Sequence, residues 1–447
     1  MTPERQATVD PTLEPSAPTP EQPRRSRTRA ALAFLDAQRT AVLATATLWI
    51  ALITVAPVAT SPYRSDDKTN HLIPSEVAGD TALDTRQGYY RVFRETMSWW
   101  ITHEGRFFPG STLWTFTVFT VFPTLASYKV FIALLCLTML ALTALVAAVL
   151  TRNALVVPVA VVALGSTVTM RAWFDPLDSF SGVVILSICL ALGATLLLLR
   201  GTGWPSIAVA IAMWAYALMT YEVVITFTPV LCLVVWWSRR SWSRATALLW
   251  PTAVVGAVVA VLRSRVETPV GNAYVINLEP WRVLVTYVKQ ASSSLPLSQV
   301  WYPGAVAPPS FDPYLTLLMV VVVGIPAAVL LLCVVRARPV LTWPSLVVVA
   351  FLGAALWLAP PVLVAISLGW QNELPPGQGY VRVAWGYVGL ALLATSAWSA
   401  LAKLHLDRPS RARAVLLVVG SAVLVLLCAA TLAESITIAR SAVVAIG

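Results

Sequence analysis

SYKVFIALLCLTMLALTALVAAVL, residues 127–150, holds a single Lys in its first turn and no other charge. Coiled as a helix, such a run crosses a hydrocarbon core about 30 Å thick. It lacks the alternation of a barrel strand, and a backbone in lipid must satisfy its own hydrogen bonds, so it reads as a helix. Arg152 stops it, and a second apolar run starts almost at once, near 154–170. Outward from this pair the pattern recurs near 40–59, 181–199, 204–219, 222–237, 246–262, 313–335, 343–366, 381–402 and 414–433. The fold class is therefore an all-α polytopic membrane protein with about eleven transmembrane helices. A chain of 447 residues that is 58% hydrophobic and 12% charged, with mean hydropathy +0.75, excludes an ordinary soluble domain.

The connections alternate in charge. Arg24, Arg25, Arg27 and Arg29, then Arg152, Arg200, Arg239 with Arg240 and Arg244, Arg336 with Arg338, and Lys403 through Arg413 occupy every other one. Most carboxylates occupy those between. Because orientation follows Lys and Arg in short loops, the N-terminus is expected in the cytoplasm and the C-terminus outside. The same rule accounts for the net charge of +10 without a nucleic-acid partner. Cys136, Cys189, Cys232, Cys333 and Cys428 all lie within apolar runs, with no CxxC pair, so neither a disulfide framework nor a structural zinc site is indicated.

Residues 1–38, rich in Pro, Glu, Ser, Thr and Arg, read as a disordered cytoplasmic tail. Residues 39–447 form one transmembrane domain with long outer loops at 60–110 and 263–312. In the first loop Asp84-Thr-Arg-Gln87 opens a helix whose apolar side is Tyr89, Phe93, Met97, Trp100 and Ile101, with Gly105 to end it. In the second, Pro280 starts a helix striped by Trp281, Leu284, Val285, Val288 and Ala291. Both are expected to lie on the membrane surface. The short apolar stretch 111–124 would invert every later loop if it crossed, so it is expected to be re-entrant.

No P-loop, dinucleotide fingerprint, nucleophile elbow or zinc-protease helix is present. Candidate chemistry lies instead at the outer ends of the spans. Asp66-Asp67 is an acid pair at a membrane surface, where a raised pKa suits a proton acceptor. Glu104 and Arg106 flank Gly105 where the first loop re-enters, and a guanidinium fits phosphate oxygens in bidentate fashion. Arg171, Asp175 and Asp178 crowd one short turn. Tyr221-Glu222 interrupts an apolar tract, and a lone carboxylate there is expensive. Gln371 and Arg382 bracket the last substantial outer loop, where an amide suits sugar hydroxyls and an Arg suits phosphate.

The arrangement resembles the GT-C superfamily of membrane glycosyltransferases: an inner N-terminus, an acid in the first outer loop soon after span one, and interfacial helices in two long outer loops. Glu104-Gly-Arg-Phe-Phe-Pro109, Asp175-Pro176 and Thr220-Tyr-Glu222 are similar to runs in bacterial membrane proteins grouped near these enzymes. The resemblance implies inverting transfer of a sugar from a polyprenyl-phosphate donor to a glycan or lipid acceptor, with Asp66 or Asp67 as base, in the bacterial plasma membrane. Asp67, Asp175 or Asp178 could also hold a divalent cation, although no metal-ligand motif marks one. Three other functions share this architecture: a flippase or transporter of lipid-linked saccharides, a polysaccharide polymerase, and a non-catalytic envelope subunit. Spans almost free of charge count against translocation.

Overall fold

The computed structural model describes residues 38–79, 85–265, 275–301 and 312–444. The expected tail at 1–38 lies outside them but for its last residue. Residues 38–42 only begin the first helix, and everything below concerns the unit from Leu43 onward.

Among the described residues the chain is helical, with one isolated β-bridge, Ile276 to Ser367. Ten helices among the described residues are long and apolar enough to cross a membrane, which makes the protein multi-pass. The elements used below that form these spans or lie within them are α1 (Arg39–Thr60), α4 (Leu125–Thr151), α6 (Val183–Arg200), α7 (Gly203–Thr220), α8 (Thr228–Arg239), α10 (Ile325–Arg336), α11 (Trp343–Leu358), α12 (Val383–Asp407) and α13 (Arg411–Val444). Shorter or more polar are α2 (Thr85–Glu104), α3 (Pro109–Val121), α5 (Val156–Gly165) and α9 (Pro280–Ser292). One end of the bundle gathers Asp66, Asp67, Asp175, Asp178, Glu222 and Glu434. The other gathers the arginines that follow α4, α8 and α10.

The expected crossing at 154–170 takes a different form. Helix α5 has ten residues, about 15 Å of rise, and stops at Gly165, where a Cβ would meet Cys428 Sγ at 2.7 Å. The chain then runs on without regular structure to Ser179, buried except at the half-buried residues 172–174. Irregular backbone this deep persists only where protein groups satisfy it. Ser435 Oγ accepts from Met170 N (3.1 Å), Thr431 Oγ1 donates to Ser166 O (3.2 Å), and Gln299 both donates to Met170 O (2.8 Å) and accepts from Ala172 N (2.9 Å). An apolar run cannot reveal this, because the partners lie more than a hundred residues away.

The two loop helices form where expected. Helix α2 ends on Gly105 at φ +60°, the left-handed residue that closes a helix most cheaply. Helix α9 starts at Pro280 and turns Thr286 and Gln290 inward, while Trp281 is 70% exposed and Leu284 and Val288 are also exposed. Trp281, Leu284 and Val288 of its apolar stripe thus face away from the protein, as in a helix lying in a lipid interface, while Ala291 packs inward. Helix α3 has thirteen residues, about 20 Å, and both its ends stay at the carboxylate end. Tyr216 OH, near the end of α7, donates to Gly110 O (3.4 Å), and Phe122 stacks on Phe131 near the start of α4 at 4.4 Å.

Two packing details have identifiable causes. Between Val320 and Gly324 the helix leading into α10 widens into a π-turn. Pro326 has no N–H for the carbonyl four residues back, and Trp49 Nε1 donates to that Val322 O instead (2.8 Å). Helices α11 and α12 meet at two glycines: a Cβ on Gly353 would stand 2.6 Å from Gly389 O, so only small residues permit this approach. Gly353→Leu is expected to lower stability by about 1–3 kcal/mol through overpacking. Gly256→Ala, at a helical glycine with open space around it, should not. Thermal melts of both variants in detergent decide the point.

Candidate functional site

At the carboxylate end, α2, α3, the start of α6, the end of α7 and the turn before α12 enclose a cavity of ≈ 320 Å³. Asp66, Arg106, Tyr221 and Arg382, four residues singled out in the sequence, line it together with Trp100 and Tyr380. Each is placed by local structure. Asp66 occupies the N-cap position of the one-turn helix Asp67–Asn70, with no capping bond from its side chain. Arg106 follows the α2 stop, its guanidinium over the Phe108 ring (4.5 Å) and the Trp100 ring (5.4 Å). Tyr221 is the extended residue where α7 ends, and Arg382 is the N-cap of α12.

The charges are not symmetric. Arg106 Nε lies 2.6 Å from Glu222 Oε1, a close, largely buried pair. Among the described residues Arg382 forms no ion pair, although Glu222 is near enough to feel its charge: its Nε donates to Tyr221 OH (3.2 Å), and its Nη1 is buried with no hydrogen-bond partner there. Arg382 is only 8% exposed. A buried guanidinium nitrogen without an acceptor is costly, and an anion in the cavity would remove that cost. Asp66 stands at the cavity wall, partly desolvated, and burial raises its carboxyl above the ordinary range. Acid and orphaned cation thus share one space.

The other sequence candidates fall elsewhere. Asp67 is fully buried and accepts from Tyr128 OH, Ser181 N (2.8 Å) and Ser181 Oγ (3.2 Å), fixing the end of α1 to α4 and α6. Asp178 forms a buried ion pair with Lys129, and Asp175 faces Arg64 at 3.6 Å. Arg171 is enclosed: its guanidinium donates to Tyr387 OH (2.5 Å), Ser298 Oγ (2.8 Å), Gly377 O (2.7 Å) and Ser293 O. It ties the α9 exit and the 377 turn to α12. Gln371 accepts from Asn277 Nδ2 (2.7 Å) and donates to Asn277 O (2.9 Å) and Ala365 O (2.8 Å), closing the 275–277 segment onto residues 365–371. Glu104 ends α2, and its side chain lies outside the described residues. Among the described residues no group of three or more His, Cys, Asp and Glu converges in a metal-binding arrangement.

Lys129, Arg64 and Tyr128 were not singled out as candidates from sequence. A Lys inside an apolar run was a usable signal for the first. The others carry none.

Burial pushes Asp67 up to about 7, against the lowering effects of the Tyr128 and Ser181 hydrogen bonds and of the Lys129 charge. Burial likewise lifts Asp175 to about 6, opposed chiefly by Arg64. A folded value of about 7 above an ordinary 3.8 means that the native state holds the proton more tightly. The stability Asp67 contributes is therefore complete below about pH 3.8 and is lost as pH rises through about 7. Over that window the melting temperature of the wild type should fall more steeply than that of Asp67→Asn, which cannot titrate. Equal slopes would refute the assignment.

No family model, curated protein or solved structure matches the chain.

Proposed function

We propose that the protein is a bacterial inner-membrane glycosyltransferase that moves a sugar from a polyprenyl-phosphate donor to an extracytoplasmic glycan or lipid acceptor. In this reading the N-terminus is cytoplasmic, the carboxylate end faces outside, and α3 is re-entrant. The observation that carries the proposal is the cavity uniting Asp66 with Arg106 and the unpartnered Nη1 of Arg382. The donor phosphate sits against Arg382, with Arg106 beside it. The acceptor hydroxyl gives its proton to Asp66 as its oxygen bonds to the anomeric carbon. The bond from that carbon to the phosphate oxygen breaks, and polyprenyl phosphate departs with the electron pair, its charge met by the guanidinium groups. Tyr380 and Trp100 supply the aromatic walls that sugars and isoprenoid units favour.

Mass spectrometry of copurifying lipids, together with release of labelled sugar from a polyprenyl-phosphate donor, tests the reading. Arg382→Ala is expected to cut kcat/KM for the donor by about 10–100-fold, the worth of a hydrogen bond to a charged group. Arg382→Lys should recover only part of it, since an ammonium lacks the planar fork. Unchanged donor kinetics in Arg382→Ala would remove the phosphate from this position.

A further inference from the structure

The opposite end of the bundle carries a larger cavity, ≈ 740 Å³, framed where α4, α6, α8 and α10 end and α11 begins. Three arginines line it, Arg152, Arg239 and Arg338, and no carboxylate does. Among the described residues none of the three forms an ion pair. Their neighbours in sequence and space are engaged differently: Arg240 stacks over Trp236 and Trp237, Arg244 donates to Leu198 O (3.3 Å), and Lys403 pairs with Asp407 (2.9 Å).

The rim is built rather than incidental. Arg152 and Arg338 both hold left-handed backbone, φ +54° and +49°, a conformation that costs an L-residue about 1–2 kcal/mol. Asn153 joins their two turns, donating from Nδ2 to Val340 O (3.0 Å) while its Oδ1 accepts from Leu155 N (2.9 Å). A preference for arginine in loops on one side of a membrane explains their number. It does not explain why three separate turns converge on one space without an acid. The helix C-termini there each present about half a negative charge, so the guanidinium groups leave the cavity net positive. Its inner wall is apolar, with Val149, Leu150, Leu199 and Val348, and Trp237 stands at the rim.

We propose that this cavity binds the phosphodiester headgroup of an acidic phospholipid, with the glycerol and the first acyl methylenes against the apolar wall. Charge selects the anion, and the largely buried apolar wall, with Trp237 exposed at its rim, selects a lipid over a soluble phosphate. The site is separate from the Asp66 cavity: α4 lies between them, with Lys129 beside Asp178 at one end and Leu150 in this wall at the other.

Native mass spectrometry of the full chain, released from detergent with dioleoyl phosphatidylglycerol or dioleoyl phosphatidylcholine, tests the proposal. One phosphatidylglycerol should survive detergent washing and phosphatidylcholine should not. The triple variant Arg152→Gln, Arg239→Gln, Arg338→Gln should weaken retention about tenfold or more. The control triple Arg408→Gln, Arg411→Gln, Arg413→Gln removes equal charge from the same end and should leave retention within about twofold. Should the first triple fail to fold, Arg239→Gln alone, at an exposed position, gives the same comparison at smaller amplitude. Equal loss in both triples would reduce the effect to bulk surface charge and overturn the site. Equal retention of phosphatidylcholine, or displacement of the bound lipid by millimolar inorganic phosphate, would overturn it too.

Discussion

Asp66→Asn is expected to lower sugar transfer by about 10²–10⁴-fold, the usual contribution of a general base, while the protein still folds and still binds donor. The side chain lines the cavity and makes no capping hydrogen bond with its own helix, so its removal unties nothing. In the proposed mechanism donor binding rests on Arg382 and Arg106, across the same space. The mutation should therefore reduce kcat with little change in donor KM, the mark of an interaction realised only in the transition state. Wild-type turnover should also fall at acid pH. Burial raises the Asp66 carboxyl, so the ionised base disappears at a pH above that of an ordinary aspartate, and the acid limb should be absent from any residual activity of Asp66→Asn. Full transfer by Asp66→Asn would eliminate the base assignment.

Lys129→Met is expected to destabilise the protein by about 3–5 kcal/mol, the cost of stranding one partner of a buried ion pair. Lys129 and Asp178 are 1% and 0% exposed, so water cannot replace the lost ammonium. Burial already raises Asp178, with Lys129 the leading influence holding it down and Arg64 the next. Without Lys129 the carboxyl should bind a proton on folding, and the loss should therefore be larger at alkaline than at acid pH. The double variant Lys129→Met, Asp178→Leu should recover much of the stability, since an apolar pair of similar volume carries no desolvation penalty. Melting curves across pH for the two singles and the double complete the cycle. A double variant no more stable than Lys129→Met would show that the ion pair itself, and not the stranded charge, sets the energy.

Helix existence was legible wherever lipid is the solvent, because twenty apolar residues in a row have few alternatives. The interfacial helices at 85–104 and 280–292 were legible from period and caps. The run at 154–170 passes between the two ends of the bundle as a ten-residue helix followed by irregular backbone; the groups that satisfy residues 166–172 come from Gln299, Thr431 and Ser435, which no local window contains. Within the site, residue type pointed to Asp66, Arg106, Tyr221 and Arg382, yet the same reasoning also selected Arg171 and Gln371, whose polar groups are occupied by backbone and side-chain partners.

Hydropathy and loop charge are local quantities, so the amino-acid order alone determined that this is an all-helical, multi-pass chain with its acids and its arginines at opposite ends. Which polar groups are left wanting a partner depends on distances between segments far apart in the chain. Packing alone therefore decided that Arg171 is held by four acceptors, that Arg382 retains an unmet donor among the described residues, and that three remote arginines surround one cavity.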